Sequence, residues 1–155
     1  MSSRREAREW ALQLLFQLEV NPGDVSVAFN DFWSNTALWE DREAAPRNRV
    51  FAEELVRGVL EHRAELDEVL KTYLEHWDLG RLGVVERNVL RFALYEMRYR
   101  DDIPPVVTIN EAVDVAKYFG TTECGRFVNG ILDRYRKALD RPARTAARKA
   151  RPAAE

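Results

Sequence analysis

Arg4, Arg5 and Arg8 place three guanidinium groups in the first two turns of a helix that opens at Ser3. Arg4 and Arg8 are four residues apart and share a helix face. Cations at a helix N-terminus oppose the helix dipole, so this placement works against helix stability. A bound anion relieves the conflict, because the free backbone N–H groups there also seek negative charge. Ordinary surface charge is the competing reading of the same three residues. A second stretch, Phe119 to Gly130, joins two helices through a short turn of small polar residues. Arg126 and Phe127 sit just inside the later helix. A partly exposed Phe beside an Arg offers a base-stacking face with a phosphate or cation–π contact. Phe127 also fits an apolar stripe with Ile131, so core packing competes with that role.

The other reactive residue types do not assemble into an active site. His62 and His76 are the only histidines, and neither is near the single cysteine, Cys124. Glu61, His62 and Glu65 imitate a metal pair on one helix face, but exposed charge on an amphipathic helix explains them. Glu53 and Glu54 are helix neighbours and do not face each other, so they form no acid–base dyad. Asp101 and Asp102 fall in a loop and read as solvated. There is no Gly-rich phosphate loop, no paired-cysteine motif and no nucleophile elbow. The sequence therefore predicts no catalytic residue, no metal and no cofactor.

The elements that must position these groups are helical nearly throughout. Ser3 and Glu6 form a capping box ahead of Ala7, Ala11, Leu14, Leu15 and Leu18, which recur at helical spacing. Asn21-Pro22-Gly23 ends that helix. A second helix is predicted from about Val25 to Trp39. The run from Pro46 to about Leu74 is too long to stay straight and is predicted to break near His62–Arg63. Gly80 and Gly83 bracket a turn before a helix carrying Val85, Val89, Leu90, Ala93, Leu94 and Met97. Asp101 through Pro105 reads as a loop. Thr108, with Glu111, is predicted to cap a short helix that Gly120 closes as a C-terminal glycine. A last helix runs from about Glu123 to Ala138. Trp33 and Trp77 read as core or interface material. No segment alternates with period two, so the class is all-α.

The chain has 155 residues, 46% apolar and 32% charged, which suits one globular domain without staples. One cysteine gives no disulfide framework and fits a reducing cytoplasm. No apolar run approaches the ~20 residues that span a bilayer, and the charged N-terminus lacks a signal-peptide core. The net charge of −2 conceals an asymmetry. Residues 1–133 hold 16 basic and 24 acidic residues, whereas residues 134–155 hold 8 basic and 2 acidic. Residues 1–139 form the predicted domain. Residues 140–155 are rich in Ala, Arg and Pro and are predicted to be disordered.

Across residues 4–135 the chain resembles the bacterial NusB antitermination factors. The resemblance lies in RREAREWALQLLF, AEELVRGVLEH, VERNVLRFALYEM, IPPVVTINEAVDVAKYFG and RFVNGILDR, in that order and spacing. It implies a seven-helix fold of two packed helical subdomains. It also implies binding of the boxA RNA element, strengthened by a heterodimer with NusE, a small-subunit ribosomal protein. The complex would load onto RNA polymerase and resist termination, notably on ribosomal RNA operons. Arg4, Arg5 and Arg8 match the family's arginine-rich RNA contact, and Phe127, beside Arg126, matches an RNA-contacting aromatic. Glu123 falls where the family has an acid that modulates RNA affinity. Glu86 matches an acid at the NusE interface. The family often has a further basic residue where this chain has Glu6, which points to weaker RNA binding or a share taken by the basic tail. On this reading, reversing Arg5 and Arg8 to Glu weakens boxA binding without unfolding the core.

Two alternatives remain. NusB-like domains also begin some RNA cytosine methyltransferases, which need a long Rossmann-like domain downstream, so on that reading the 155 residues would be a truncation. A homodimer that hides the arginine face is the other.

Overall fold

Ser3 caps the first helix as the sequence predicts, its hydroxyl accepting from the Glu6 amide while Glu6 accepts from the Ser3 amide. The computed structural model describes residues 3–35, 46–74 and 78–139. Seven α-helices occupy them: α1 (Arg4–Val20), α2 (Val25–Ser34), α3 (Pro46–Glu61), α4 (Arg63–Tyr73), α5 (Val84–Tyr99), α6 (Pro105–Phe119) and α7 (Thr122–Leu139). A 3₁₀ turn at Leu79–Arg81 precedes α5. No strand occurs among the described residues. The expectations for Trp39, His76, Trp77 and the tail 140–155 concern residues outside those described.

α5 is the centre of the fold. It packs against α1, α3, α4, α6 and α7. Val89 through Leu94 and Glu96 are buried, so this helix is surrounded on nearly every side. The salt bridges fix its direction. Arg8, early in α1, meets Glu96, late in α5, whereas Glu19, late in α1, meets Arg87 and Arg91, early in α5. The two helices are therefore antiparallel. Ser3 and Arg4 lie beside Arg47 and Asn48, and Leu15 and Leu18 beside Val59 and Leu60, so α1 and α3 run parallel.

The break near His62–Arg63 occurs as predicted, with His62 at φ −108°, ψ 16°. Its ring stacks on Tyr99 at 4.4 Å. Gly58 lets α3 approach α5, since a Cβ there would clash with the Tyr95 ring. Gly58→Ala is expected to lower stability by about 1–3 kcal/mol through overpacking, read as a lower urea midpoint. A midpoint equal to the parent's would show that Tyr95 swings aside freely.

Three expectations differ from the structure. α2 ends at Ser34, short of the predicted Trp39. α6 starts at Pro105, not at Thr108. Proline suits a first helical position because it has no amide to leave unpaired. Thr108 is thus inside the helix, fully buried, and donates its hydroxyl to Glu96 Oε1 at 2.9 Å. Gly120 does close α6, but no described glycine has positive φ. Glycine fits there because a Cβ would lie 2.8 Å from Cys124 Sγ and 2.9 Å from the Ala116 carbonyl oxygen.

Candidate nucleic-acid interface

The capping box brings Arg4, Arg5 and Arg8 to one end of the molecule, where α1, α3 and α6 all begin. A cleft of about 350 Å³ there is lined by Arg4, Arg5 and Arg8 together with Asp102, Pro104 and Glu111. The three arginines do different work within it. Arg4 is exposed, and its guanidinium lies 4.7 Å from the centroid of the Phe51 ring. Among the described residues no carboxylate lies within 4 Å of it. Arg5 is 41% exposed and bridges to Glu111 and to Asp114, the latter at 2.9 Å. Its hydrogen bonds hold the Glu111 carboxyl below the usual carboxylate range, against the opposing effect of burial, with Arg8 adding to the pull.

Arg8 is buried at 2% exposure. Its Nε and Nη2 each donate to the fully buried Glu96 at 2.7 Å. The shared face predicted for Arg4 and Arg8 is real, since both guanidinium groups lie over Phe51. The surface role expected for Arg8 is corrected, because its donors are engaged inside the core. The expectation that Arg8→Glu spares the core is corrected too. That change would set a second carboxylate against Glu96.

The second group lies in the first turns of α7. Glu123 and Arg126 are exposed and form an i,i+3 pair at 3.3 Å. Such a pair is weak in water and readily exchanged for another partner. Phe127 is half-buried and packs against the core, so its ring serves packing while part of it reaches the surface. α6 packs against both α1 and α7 and is the element that joins the two groups. Arg5 is held by its Glu111 and Asp114, and Lys117, one turn on, lies against Gly125 of α7.

Glu86 lies elsewhere. It sits half-buried in the first turn of α5 beside Gly83. That is the far end of α1, roughly 24 Å from Arg4 at 1.5 Å per residue. Beside it a groove of about 700 Å³ is lined by Phe16, Val20, Phe32, Val84, Val85 and Phe119. Phe16 is 47% exposed and Val20 is 67% exposed. Contiguous exposed apolar surface of this kind occurs at protein interfaces, ligand-binding grooves and membrane contacts alike. Sequence reading missed these residues. Their signal was position: Phe16 and Val20 are large apolar residues off the buried stripe of α1. Arg47 was missed as well, although it is a cation in the first turn of α3, as Arg4 is in α1. No helix among the described residues is long and apolar enough to cross a membrane.

The described residues form an all-helical body with a cationic cleft near the start of α1 and an apolar groove along its second half. Comparison with known proteins places it among relatives. Residues 5–137 match the NusB family. The chain is 44% identical over 142 residues to the transcription antitermination protein NusB of Myxococcus xanthus, covering 92% of this chain and all of that one. It is 46% identical over 140 residues to its namesake in Desulfitobacterium hafniense, covering 90% of this chain and 91% of that one. Among solved structures, T. maritima NusB superposes with a TM-score of 0.73 at 40% identity, covering 86% of this chain and 89% of that one. A structure of antitermination factors NusB and NusE in complex with dsRNA superposes with a TM-score of 0.75 at 26% identity, covering 87% and 96%. The chain belongs to the NusB family.

Proposed function

We propose that the chain is a cytoplasmic transcription antitermination factor that binds boxA RNA and forms a heterodimer with NusE, helping RNA polymerase transcribe ribosomal RNA operons processively. The observation that carries this reading is the division of α1. Its start presents arginines in a cleft, and its second half, from Leu12 to Val20, lines an apolar groove roughly 12–24 Å from Arg4 at helical rise. A strand of RNA and a protein partner can therefore bind together without competing. The likeness of this chain to the NusB of a solved NusB–NusE complex with dsRNA supports RNA and NusE as the two partners.

The function is recognition, with no bond made or broken. Arg4 and Arg5 bind backbone phosphates, which supplies affinity and salt sensitivity but little sequence information. Phe127 and Arg126 take unpaired bases by stacking, each stacked base contributing roughly 1–3 kcal/mol. Glu123 modulates that contact by competing for Arg126. Arg8 positions the site by tying the start of α1 to Glu96.

The test is fluorescence anisotropy with a boxA oligoribonucleotide against a scrambled control, with and without NusE. Preference for boxA, strengthened by NusE, is expected. Equal binding of both RNAs in both conditions would end the assignment. Glu86→Lys is expected to reduce NusE capture in a pull-down several-fold while RNA affinity without NusE stays within twofold of the parent. Equal loss of both would mean that the two surfaces are one. Light scattering with and without RNA reads whether a homodimer hides the arginine face instead.

A further inference from the structure

We propose a second phosphate-binding cleft between the starts of α1 and α3, in which Arg4 and Arg47 grip the backbone of the RNA strand beyond the cleft already described. It rests on the RNA-binding reading and extends it to a residue outside the arginine-rich N-terminal segment. Ser3, Arg4, Arg47 and Asn48 line a cleft of about 390 Å³. Arg4 also lines the cleft shared with Arg5 and Glu111, so one guanidinium stands between the two.

The charge balance at this cleft differs from that around most of the arginines. Residues 1–133 carry 24 acids against 16 bases, and most arginines there are neutralised. Arg5, Arg8, Arg87, Arg91, Arg98 and Arg100 each have a carboxylate within 4 Å. Arg49 and Arg57 lie over the rings of Trp33 and Phe29. Among the described residues neither Arg4 nor Arg47 has a carboxylate within that distance. Two cations lining one cleft, in an acidic body, repel each other until an anion enters. A phosphodiester meets that need with one charge and two oxygens, and a guanidinium fork matches it. A strand lying over Arg5 and Arg4 reaches Arg47 next, because Arg4 belongs to both clefts.

The test uses the full chain and the boxA oligoribonucleotide, titrated by anisotropy over a range of salt. Arg47→Gln is expected to weaken binding several-fold. It should also flatten the slope of log K against log salt by about 0.7, the loss of one single-strand phosphate contact. Arg47→Lys, which keeps the charge, should keep the slope. Arg81→Gln removes an exposed arginine from the opposite end of α1 and should change neither quantity. A parent-like slope and affinity for Arg47→Gln would overturn the proposal while leaving the RNA reading intact. An equal loss for Arg81→Gln would overturn it too, since overall charge would then explain both. Should the parent bind no RNA at all, the reading falls and takes this cleft with it.

Discussion

Glu96→Ala is expected to lower the free energy of unfolding by about 3–5 kcal/mol. The change leaves the Arg8 guanidinium, 2% exposed, without the two oxygens that it donates to at 2.7 Å. It also removes the acceptor of the buried Thr108 hydroxyl. Of its carboxylate contacts the buried cation keeps the longer one, to Glu111 at 3.8 Å. A poorly compensated buried charge is among the most damaging consequences of a single substitution in a domain stable by only about 5–15 kcal/mol. Urea unfolding followed by circular dichroism measures the loss. The double variant Arg8→Met with Glu96→Leu separates charge from packing, because replacing both members of a buried pair is often close to neutral. It should recover most of the stability, short of about 1–3 kcal/mol for the stranded hydroxyl. A loss below about 1 kcal/mol for Glu96→Ala would show that water reaches Arg8 and that the pair does not hold α1, α5 and α6 together.

The second large effect concerns RNA. Arg4→Glu combined with Arg5→Gln is expected to weaken boxA binding at least tenfold, about 1.4 kcal/mol. The salt slope should flatten by about 1.4, which corresponds to two phosphate contacts on a single strand. Glutamine is chosen at position 5 because a carboxylate there would face Glu111 and Asp114. The melting temperature should move little, since Arg4 is exposed and Arg5 holds a partly exposed pair of modest strength. Unchanged affinity at moderate salt would remove the RNA face from this end of the molecule. The contrast with Arg8 is the point of the design. A neighbour on the same helix face acts on stability, whereas Arg4 and Arg5 act on binding.

Several features of the fold can be read from local rules. The Ser3–Glu6 capping box, the stop at Asn21, the break at His62 and the span of α7 each follow from a few neighbouring residues. The start of α6 misled because Thr108 and Glu111 imitate a capping box. Their polar groups are instead claimed by Glu96 and Arg5, which are distant in sequence. The candidate site was legible in part. Arg4, Arg5, Arg126 and Phe127 stood out by type and spacing, but helix periodicity could not tell an exposed Arg4 from a buried Arg8 one turn on.

Alone, the amino-acid sequence determined the helical class, most helix ends and the cationic start of α1, because caps, breakers and apolar spacing act over a few residues. Only the tertiary structure decided which arginines stay available for an anion, and which apolar residues of α1 remain outside the core. Both depend on what a distant segment brings within a few ångströms: Glu96 for Arg8, Glu111 for Arg5, and the adjoining start of α3 for Arg4.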